Sequence, residues 1–329
     1  MMGDMTDDVT GAMSESEFPL SELQQGRQRF LALVAAVRPE LHRYCARMTG
    51  SIAEGEDIVQ ETLARAYYAL SEYSELPPLR PWLFTIAHRR ALDHLRRYDR
   101  RMGESLEDIA DTAADSAPDP GEALAQEETV RAALSRFVEL PAAQRSCVIL
   151  KDVLGHSLEE IAALLELSVP AVKAALHRGR TRLQQQRRTE PEPAPPRRTS
   201  PALARYATLF NARDWDGVRA MLAEDVQLDL VSRARMSGRR QVGSYVGNYD
   251  KYSDWHLVPA WLEGGEVLAV FRDPRDTRPG YFIELKLAGE QVKFIRDFRY
   301  VPYVAREAPI ELAQNPDWNS ASQAPSLSS

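Results

Sequence analysis

The sequence predicts a multidomain protein in which two helical domains are followed by a domain of mixed α and β structure. Its 329 residues exceed one ordinary core and suit two or three domains. An acidic stretch at 102–128 and a proline-rich stretch at 188–200 divide the chain into three blocks. Apolar residues recur with helical spacing in the first two blocks, whereas the third contains runs typical of strands.

Composition limits the classes to which the chain can belong. Hydrophobic residues make up 44% and charged residues 27% of the sequence, which is typical of a soluble globular protein. No apolar run approaches the roughly 18 residues that cross a bilayer, and the acidic N-terminus lacks the features of a secretory signal. We therefore expect a cytoplasmic protein with a disordered N-terminus at 1–20.

Cysteine and histidine content argues against a metal site. Cys45 and Cys147 lie in apolar-periodic contexts and are far apart in the sequence, so buried reduced thiols are favoured over a disulfide or a metal pair. The six histidines show no metal-ligand spacing with them. We expect neither a metal nor a cofactor.

The segments between the blocks are predicted to be linkers. Residues 104–128 contain nine acidic side chains and neither lysine nor arginine, so this stretch cannot bury enough apolar surface to fold alone. The prolines of 188–200 are incompatible with a helix. The polar segment 306–329 is predicted to be a flexible tail.

The first block, 21–101, is helical by its pattern. In "EGEDIVQETLARAYYAL" the apolar stripe comprises Ile58, Leu63, Ala66 and Leu70, and the outward positions are Asp57, Gln60, Glu61 and Arg65. The prolines of "LPPLRPW" break this helix and begin another, whose apolar stripe comprises Phe84, Ala87, Ala91, Leu95 and Tyr98. Its other faces carry the basic residues of "HRRALDHLRR". A basic amphipathic helix suits DNA, a membrane or another protein.

The second block, 129–187, predicts a helix–turn–helix. A helix over 142–153 can end at Gly155, and Ser157 with Glu160 has the spacing of a capping box for a helix over 158–165. Ser168 then caps a third helix, whose basic residues are Lys173, His177, Arg178, Arg180 and Arg182. A cationic third helix suits the major groove of DNA, although an ordinary three-helix bundle with a solvated basic face fits as well.

At this point the chain resembles a known family. The segments "EGEDIVQETLARAYYAL", "RPWLFTIAHRRALDHLRR" and "QRSCVILKDVLGHSLEEIAALLELSVPAVKAALHRGR" look like regions two and four of the extracytoplasmic-function (ECF) sigma factors of the sigma-seventy family. The resemblance implies a bacterial transcription initiation factor, not an enzyme, that brings core RNA polymerase to promoter DNA. The formal net charge of −7 then averages over two cationic modules and their acidic surroundings.

The resemblance also implies roles for individual residues. Asp57, Gln60 and Glu61 match the polymerase-binding segment and would contact the clamp helices of the largest core subunits, beta and beta-prime; surface solvation is their plainer interpretation. The residues matching the segment that recognises and melts the minus-ten element are Trp82, His88, Arg89, Arg90, Arg96 and Arg97. Pockets, flat faces and cations suit flipped bases and a displaced strand. Trp82 fits a core position equally well.

The third helix of the second block would recognise the minus-thirty-five element. Its candidate contacts are Ser168, Ala171, Lys173, Ala174, His177, Arg178 and Arg180. The sequence departs from the family at Glu166, where a turn glycine is frequent, at Pro170, and at Ala174 and Ala175, where polar residues often stand. Few side chains are left to read base edges, so contacts to thymine methyl groups or to DNA shape become plausible.

The third block, 201–305, predicts an α+β domain with an antiparallel sheet. A helix in "ALARYATLFNARDWDGVRAMLAED" precedes strand-like runs such as "EVLAVFR" and "YFIELKLA". This block is similar to the SnoaL-like domains of the nuclear-transport-factor-two-like (NTF2-like) superfold, in which a cone-shaped sheet encloses an apolar pocket. The pocket candidates are Asp225, Trp255, His256, Trp261, Tyr281 and Asp297.

Three functions remain open for this domain. It regulates the sigma core in cis, with or without a small-molecule ligand; it catalyses an acid–base reaction through Asp225, His256 and Asp297; or it serves as a scaffold or dimerisation module. The resemblance favours regulation in cis, although "EPEPAPPRR" replaces the glycine-rich linker of the best-known group. For the whole chain, the alternatives are a ligand-sensing helix–turn–helix regulator independent of polymerase and an enzyme whose N-terminal half binds DNA.

Overall fold

In this computed structural model, the described residues are 20–72, 75, 77–102, 134–187, 198–251, 255–273 and 275–313. The N-terminus predicted to be disordered, nearly all of the acidic linker, most of the proline-rich linker and most of the C-terminal tail lie outside them.

The first helical domain contains four described helices. They are α1 (Leu20–Val34), α2 (Arg38–Thr49), α3 (Ile52–Ala69) and α4 (Leu79–Met102). Gly50, with φ of 78°, ends α2, and the side chain of Ser51 caps α3 by accepting from the backbone N–H of Glu54. A Cβ on Gly55 would lie 2.5 Å from the backbone nitrogen of Ala46, so the glycine lets α2 and α3 approach closely.

The second helical domain confirms the predicted helix–turn–helix. Its elements are α5 (Leu134–Val138), α6 (Ala142–Val148), a π-helical turn (Ile149–Val153), α7 (Leu158–Leu165) and α8 (Val169–Arg187). The capping box of Ser157 and Glu160 is present. The helix predicted over 142–153 is α-helical only to Val148, because its last five residues form the π turn.

One apolar core runs through both helical domains. Tyr44, Phe84 and Leu41 of the first domain belong to the same buried cluster as Phe137 and Ile149 of the second. The predicted stripe of α4 is buried except at Tyr98, which is 52% exposed. The two helical domains therefore pack against each other through a shared apolar core.

The third domain confirms the predicted α+β class. Its helices are α9 (Pro201–Asn211), α10 (Trp215–Met221), α11 (Arg239–Val246) and α12 (Tyr303–Glu307). Its strands are β1 (Leu222–Leu230), β2 (Ala234–Ser237), β3 (His256–Leu262), β4 (Gly265–Phe271), β5 (Tyr281–Ala288), β6 (Gln291–Asp297) and β7 (Glu311–Leu312). The order in the sheet is β2-β1-β6-β5-β4-β3-β7.

The sheet corrects two sequence expectations. It is mixed and not purely antiparallel, because β1 pairs in parallel with β6, which is remote from it along the chain. β7 pairs with β3 at Ala260 and Trp261, so part of the segment that we predicted to be a flexible tail extends the sheet.

Both faces of this sheet are buried. Leu257, Leu268 and Ile283 point to one face, where α9, α10 and α11 cover them. Residues that point to the opposite face, such as Val258 and Ala269, belong to a second cluster that includes Ala46 and Ile52 of the first helical domain. An antiparallel sheet commonly leaves one face to water, so the apolar second face requires the domain contact seen here.

Candidate nucleic-acid and protein interface

The third domain docks on the start of α3, beside the residues predicted to bind polymerase. Arg296 of β6 forms an ion pair with Asp57, whose side chain keeps 55% exposure while that of Arg296 keeps 12%. Gln60 and Glu61 are half-buried, and the carboxylate of Glu61 lies within 3.4 Å of both Arg65 and Arg90. The third domain thus pairs with one of the three candidates and leaves its side chain partly exposed.

A buried hydrogen-bond network joins α2, α3 and α12. The hydroxyl of Tyr303 donates to Oε2 of Glu56 at 2.6 Å and accepts from Nε of Arg38 at 2.7 Å. Arg38 also donates to Oε1 of Glu56 at 2.6 Å and to the hydroxyl of Ser232 at 2.9 Å. Glu56 is fully buried, so the network satisfies a carboxylate that would otherwise be costly to bury.

A second cross-domain contact is made at the N-terminus of α3. The carboxylate of Glu263 accepts a hydrogen bond from the backbone N–H of Ile52 at 2.8 Å. Glu263 occupies the two-residue turn between β3 and β4 with φ of 52°, where Asn or Gly is usual. Burial raises the pKa of this carboxyl.

Acidic groups surround Arg296. Asp229 of β1 and Glu284 of β5 are its partners across the two neighbouring strands, and Asp57 approaches from α3. Burial raises the pKa of both Asp57 and Glu284, while the guanidinium opposes that shift. One arginine therefore has to neutralise carboxylates from two domains.

The second helical domain covers part of the segment predicted to melt DNA. Nδ1 of His88 lies 2.7 Å from the hydroxyl of Tyr44, which also donates to Ser146 at 3.3 Å. Burial lowers the pKa of His88 to about 4, so the imidazole is neutral at pH 7. Arg89 is exposed and pairs with Glu166 at 3.0 Å.

The other candidates of α4 vary in exposure. Trp82 is half-buried and packs against the helical core, which agrees with its core interpretation. Arg90 is largely buried and lies 2.6 Å from Asp93. Arg96 and Arg97 are exposed.

The third helix of the helix–turn–helix presents only some of its predicted contacts. Ser168 caps α8 through the backbone N–H of Ala171. Lys173 and His177 are exposed, Ala171 and Arg178 are half-buried, and Ala174 is 4% exposed. Arg180 is 9% exposed and pairs bidentately with the buried Asp152, at 3.0 and 2.6 Å, so its guanidinium holds α8 against the π turn.

Comparison with known proteins assigns the two helical domains. Residues 33–101 match the family model for Sigma-70 region 2, and residues 130–183 match that for Sigma-70, region 4. The ECF RNA polymerase sigma factor SigF of Caulobacter vibrioides is 38% identical over 41% of this chain and 72% of its own length. The chain belongs to the ECF sigma factor family. We name the two domains region 2 and region 4 accordingly.

Two further relatives extend the comparison. The ECF RNA polymerase sigma factor SigG of Mycobacterium tuberculosis is 34% identical, and the match covers 58% of each chain. The chain thus spans little more than half the length of that relative. The crystal structure of the M. tuberculosis ECF sigma factor SigJ is 24% identical, covers 81% of this chain and 95% of its own, and has a TM-score of 0.34.

Three of the pocket candidates in this sigma factor come together. Asp297 is 1% exposed and accepts a hydrogen bond from the hydroxyl of Tyr249 at 2.6 Å. Trp255 lies between Tyr249 and Tyr281, with ring centroids 5.4 and 5.8 Å away. Burial raises the pKa of Asp297 to about 6. Tyr249 was not among the predicted pocket residues.

The remaining pocket candidates lie elsewhere. Asp225 is exposed and pairs with Lys293 at 2.6 Å. His256 and Trp261 are half-buried on β3, and burial lowers the pKa of His256 to about 4. The acid–base trio of Asp225, His256 and Asp297 is therefore not assembled.

The described residues contain neither a metal-binding cluster nor a membrane-spanning helix. Within them, no group of three or more His, Cys, Asp or Glu side chains could hold a metal ion. None of the described helices is both long enough and apolar enough to cross a membrane.

Proposed function

We propose that this ECF sigma factor binds core RNA polymerase, directs it to promoters, and is held closed in cis by its third domain. The observation that carries the second part is the pairing of Asp57 with Arg296. A polymerase that contacts Asp57 has to displace the third domain from the start of α3. The domain therefore competes with the polymerase clamp, formed by the beta and beta-prime subunits, for one face of region 2.

Region 4 contributes to the same closed state on the DNA side. His88, a candidate for holding melted DNA, is covered by Tyr44 and lies beside the contact with Ser146 of region 4. Arg89 is neutralised by Glu166 of the helix–turn–helix. Separation of region 2 from region 4 would free Arg89 from Glu166 and remove Ser146 from the Tyr44 hydroxyl that contacts His88.

The exposed polar residues are the DNA contacts that we retain. On α4 they are Arg89, Arg96 and Arg97, and on α8 they are Lys173 and His177. We assign Arg180 and Ala174 to packing, because Arg180 is committed to Asp152 and Ala174 is buried.

The domain boundaries and cellular location belong to the same proposal. We place region 2 at 21–101, region 4 at 129–187 and the regulatory domain from 201 to the end of β7. Partnership with polymerase and promoter DNA implies the cytoplasm. The scattered positions of Asp225 and His256 support a regulatory and not an enzymatic third domain.

The test compares Arg296→Ala with Lys293→Ala. Both substitutions remove one positive charge from β6, but Lys293 contacts Asp225 and not region 2. We expect Arg296→Ala to raise the affinity for core polymerase and the yield of transcripts, while Lys293→Ala resembles the parent protein. Thermal melting of both variants controls for folding.

Two results would contradict the proposal. Equal polymerase affinity of the two variants would refute competition at Asp57. No transcript from any fragment upstream of the gene, with either variant and core polymerase, would refute sigma activity; specific duplex binding without polymerase would then favour a helix–turn–helix regulator.

A further inference from the structure

We propose that the third domain binds single-stranded DNA on a surface formed by Arg233, Tyr300, Arg299, Trp255 and Arg272, which we call the arginine–aromatic stack. In these five side chains guanidinium groups and aromatic rings alternate. In the sigma–polymerase complex, the arginine–aromatic stack would make a further contact with the melted promoter strand. That last step rests on the proposed function, but strand binding itself does not.

The distances define a continuous stack. The guanidinium carbons of Arg233 and Arg299 each lie 5.7 Å from the ring centroid of Tyr300. Arg299 also lies 4.3 Å from the ring centroid of Trp255, which Arg272 approaches to 5.3 Å. Each guanidinium is thus held against a ring, which reduces the rotamer entropy that a flexible arginine loses on binding.

The ends of the stack face solvent. Tyr300 is 43% exposed, and Arg233 and Arg272 are exposed, whereas Trp255 is 5% exposed. Trp255 therefore anchors two arginines and the outer groups remain available to a ligand.

Charge favours a polyanion on this surface. Three other exposed arginines of the third domain, Arg205, Arg235 and Arg275, each have a carboxylate within 3.5 Å. Among the described residues, neither Arg233 nor Arg272 forms an ion pair. Positive charges that are ordered by rings and not neutralised by acids match a phosphate backbone.

The exposed ring of Tyr300, flanked by two guanidinium groups, favours single strands over duplex DNA. Unstacked bases bind to aromatic rings and guanidinium planes, while the cations between them contact phosphates. A duplex hides its base faces, and its grooves are read by a helix or ribbon that this surface does not present.

The stack lies beside region 2. Ser232, next to Arg233 in the sequence, accepts a hydrogen bond from Arg38 of region 2. Tyr303, three residues after Tyr300, contacts the same arginine. In the docked state the stack therefore borders the junction of the two domains, and it stays exposed when polymerase displaces the third domain from region 2.

The experiment measures binding of a fluorescent single-stranded oligonucleotide to the full-length protein without polymerase, by anisotropy at several salt concentrations. The variants are Arg233→Ala, Tyr300→Ala and Arg272→Ala. The control, Arg205→Ala, removes an equal charge from the same domain outside the stack. We expect Tyr300→Ala to weaken binding by about tenfold, and each arginine variant to lower the salt slope by about 0.7.

A further variant separates stacking from charge. Arg233→Lys keeps the charge but loses the planar group, so we expect it to retain the salt slope and to lose affinity. Affinities and slopes equal to those of Arg205→Ala would overturn the proposal, as would binding to anionic phosphatidylserine vesicles in preference to the oligonucleotide. Because polymerase is absent, failure of sigma activity leaves the result interpretable, and a negative result here leaves sigma activity standing.

Discussion

Region 2 is held by two contacts of different character. Toward region 4 it shares one continuous apolar core, reinforced by the buried side chain of Arg145. Toward the third domain it combines a smaller apolar patch with a buried polar network around Glu56 and Arg296. The first contact pairs the candidate DNA-binding residue Arg89 with Glu166, and the second pairs the candidate polymerase-binding residue Asp57 with Arg296.

The two contacts also differ in the ionisable groups that they contain. The region 4 contact buries histidines whose pKa is lowered by burial, whereas the third-domain contact contains carboxylates paired with Arg38 and Arg296. Buried ionic networks are sensitive to the loss of a single partner, and apolar cores are sensitive to volume. The comparison therefore makes distinct predictions for each side.

The largest effect is expected at Arg145. Its guanidinium donates to the backbone carbonyls of Met48, Val138 and Leu140, and it is 5% exposed. Arg145→Ala leaves these buried acceptors without donors, which costs about 3 kcal/mol of unfolding free energy at roughly 1 kcal/mol each. Urea denaturation measures the loss, and the exposed Arg182→Ala is the control; equal midpoints would contradict the assignment.

Acid should act oppositely on the two contacts. Burial lowers the pKa of His88 to about 4, so a state in which His88 is exposed binds more protons between pH 6.5 and 4, and we expect the region 4 contact to weaken over that range. Burial raises the pKa of Asp57 and Glu263, so their docked state gains protons and that contact strengthens as pH falls.

Spin-label pairs measure both responses. Labels at the exposed positions 97 and 173 report on region 2 and region 4, and labels at 65 and 293 report on region 2 and the third domain. We expect the first distance distribution to broaden below pH 6 while the second narrows. The control His88→Gln should abolish the first response alone; parallel changes of both pairs would refute the distinction.

A smaller effect is expected at Tyr303. Tyr303→Phe keeps the ring but removes the hydroxyl that joins Glu56 and Arg38, which weakens docking by about 1.5 kcal/mol and increases the undocked population roughly tenfold. The labels at 65 and 293 measure that population. Tyr98→Phe, at an exposed position of α4, should leave it unchanged, and an unchanged population in Tyr303→Phe would show that the apolar patch alone holds the domain.

Local sequence patterns predicted most of the helical fold, but they did not predict strand pairing or contacts between residues that are far apart in the sequence. The capping box of Ser157 and Glu160 and the turn before Ser168 depend on neighbours a few residues away, and such patterns are visible in sequence. The parallel pairing of β1 with β6 and the contact between Asp57 and Arg296 join distant parts of the chain. Sequence spacing carries no information about either.

One sequence feature did point to the hidden contact. The strand β4 reads "GEVLAVF", and its residues from Val267 to Phe271 are all buried. A strand with one solvated face should alternate polar and apolar residues. The unbroken apolar run indicates a second covered face, although it does not identify region 2 as the cover. The sequence also identified Trp255 and Tyr281 as pocket candidates, but it did not identify Tyr249, whose ring lies beside that of Trp255.

The smallest effect is expected on replacement of Glu166, because relief of backbone strain and loss of an ion pair change the stability in opposite directions. This residue has φ of 57° in the turn before α8 and pairs with Arg89, with side-chain exposures of 75% and 65%. Glu166→Gly relaxes the left-handed backbone by about 1 kcal/mol, whereas losing an exposed ion pair costs about 0–1 kcal/mol.

The stability of Glu166→Gly should therefore stay within about 1 kcal/mol of the parent, as denaturant melts can show. Its binding to promoter DNA in the polymerase complex should nevertheless increase by a few fold, because Arg89 is released. Asparagine tolerates the same φ, so the matched variant Glu166→Asn should show the same stability and the same increase in promoter binding as Glu166→Gly. A gain in stability without a gain in DNA binding would mean that the glutamate serves only the turn, and that region 4 covers region 2 through its apolar core alone.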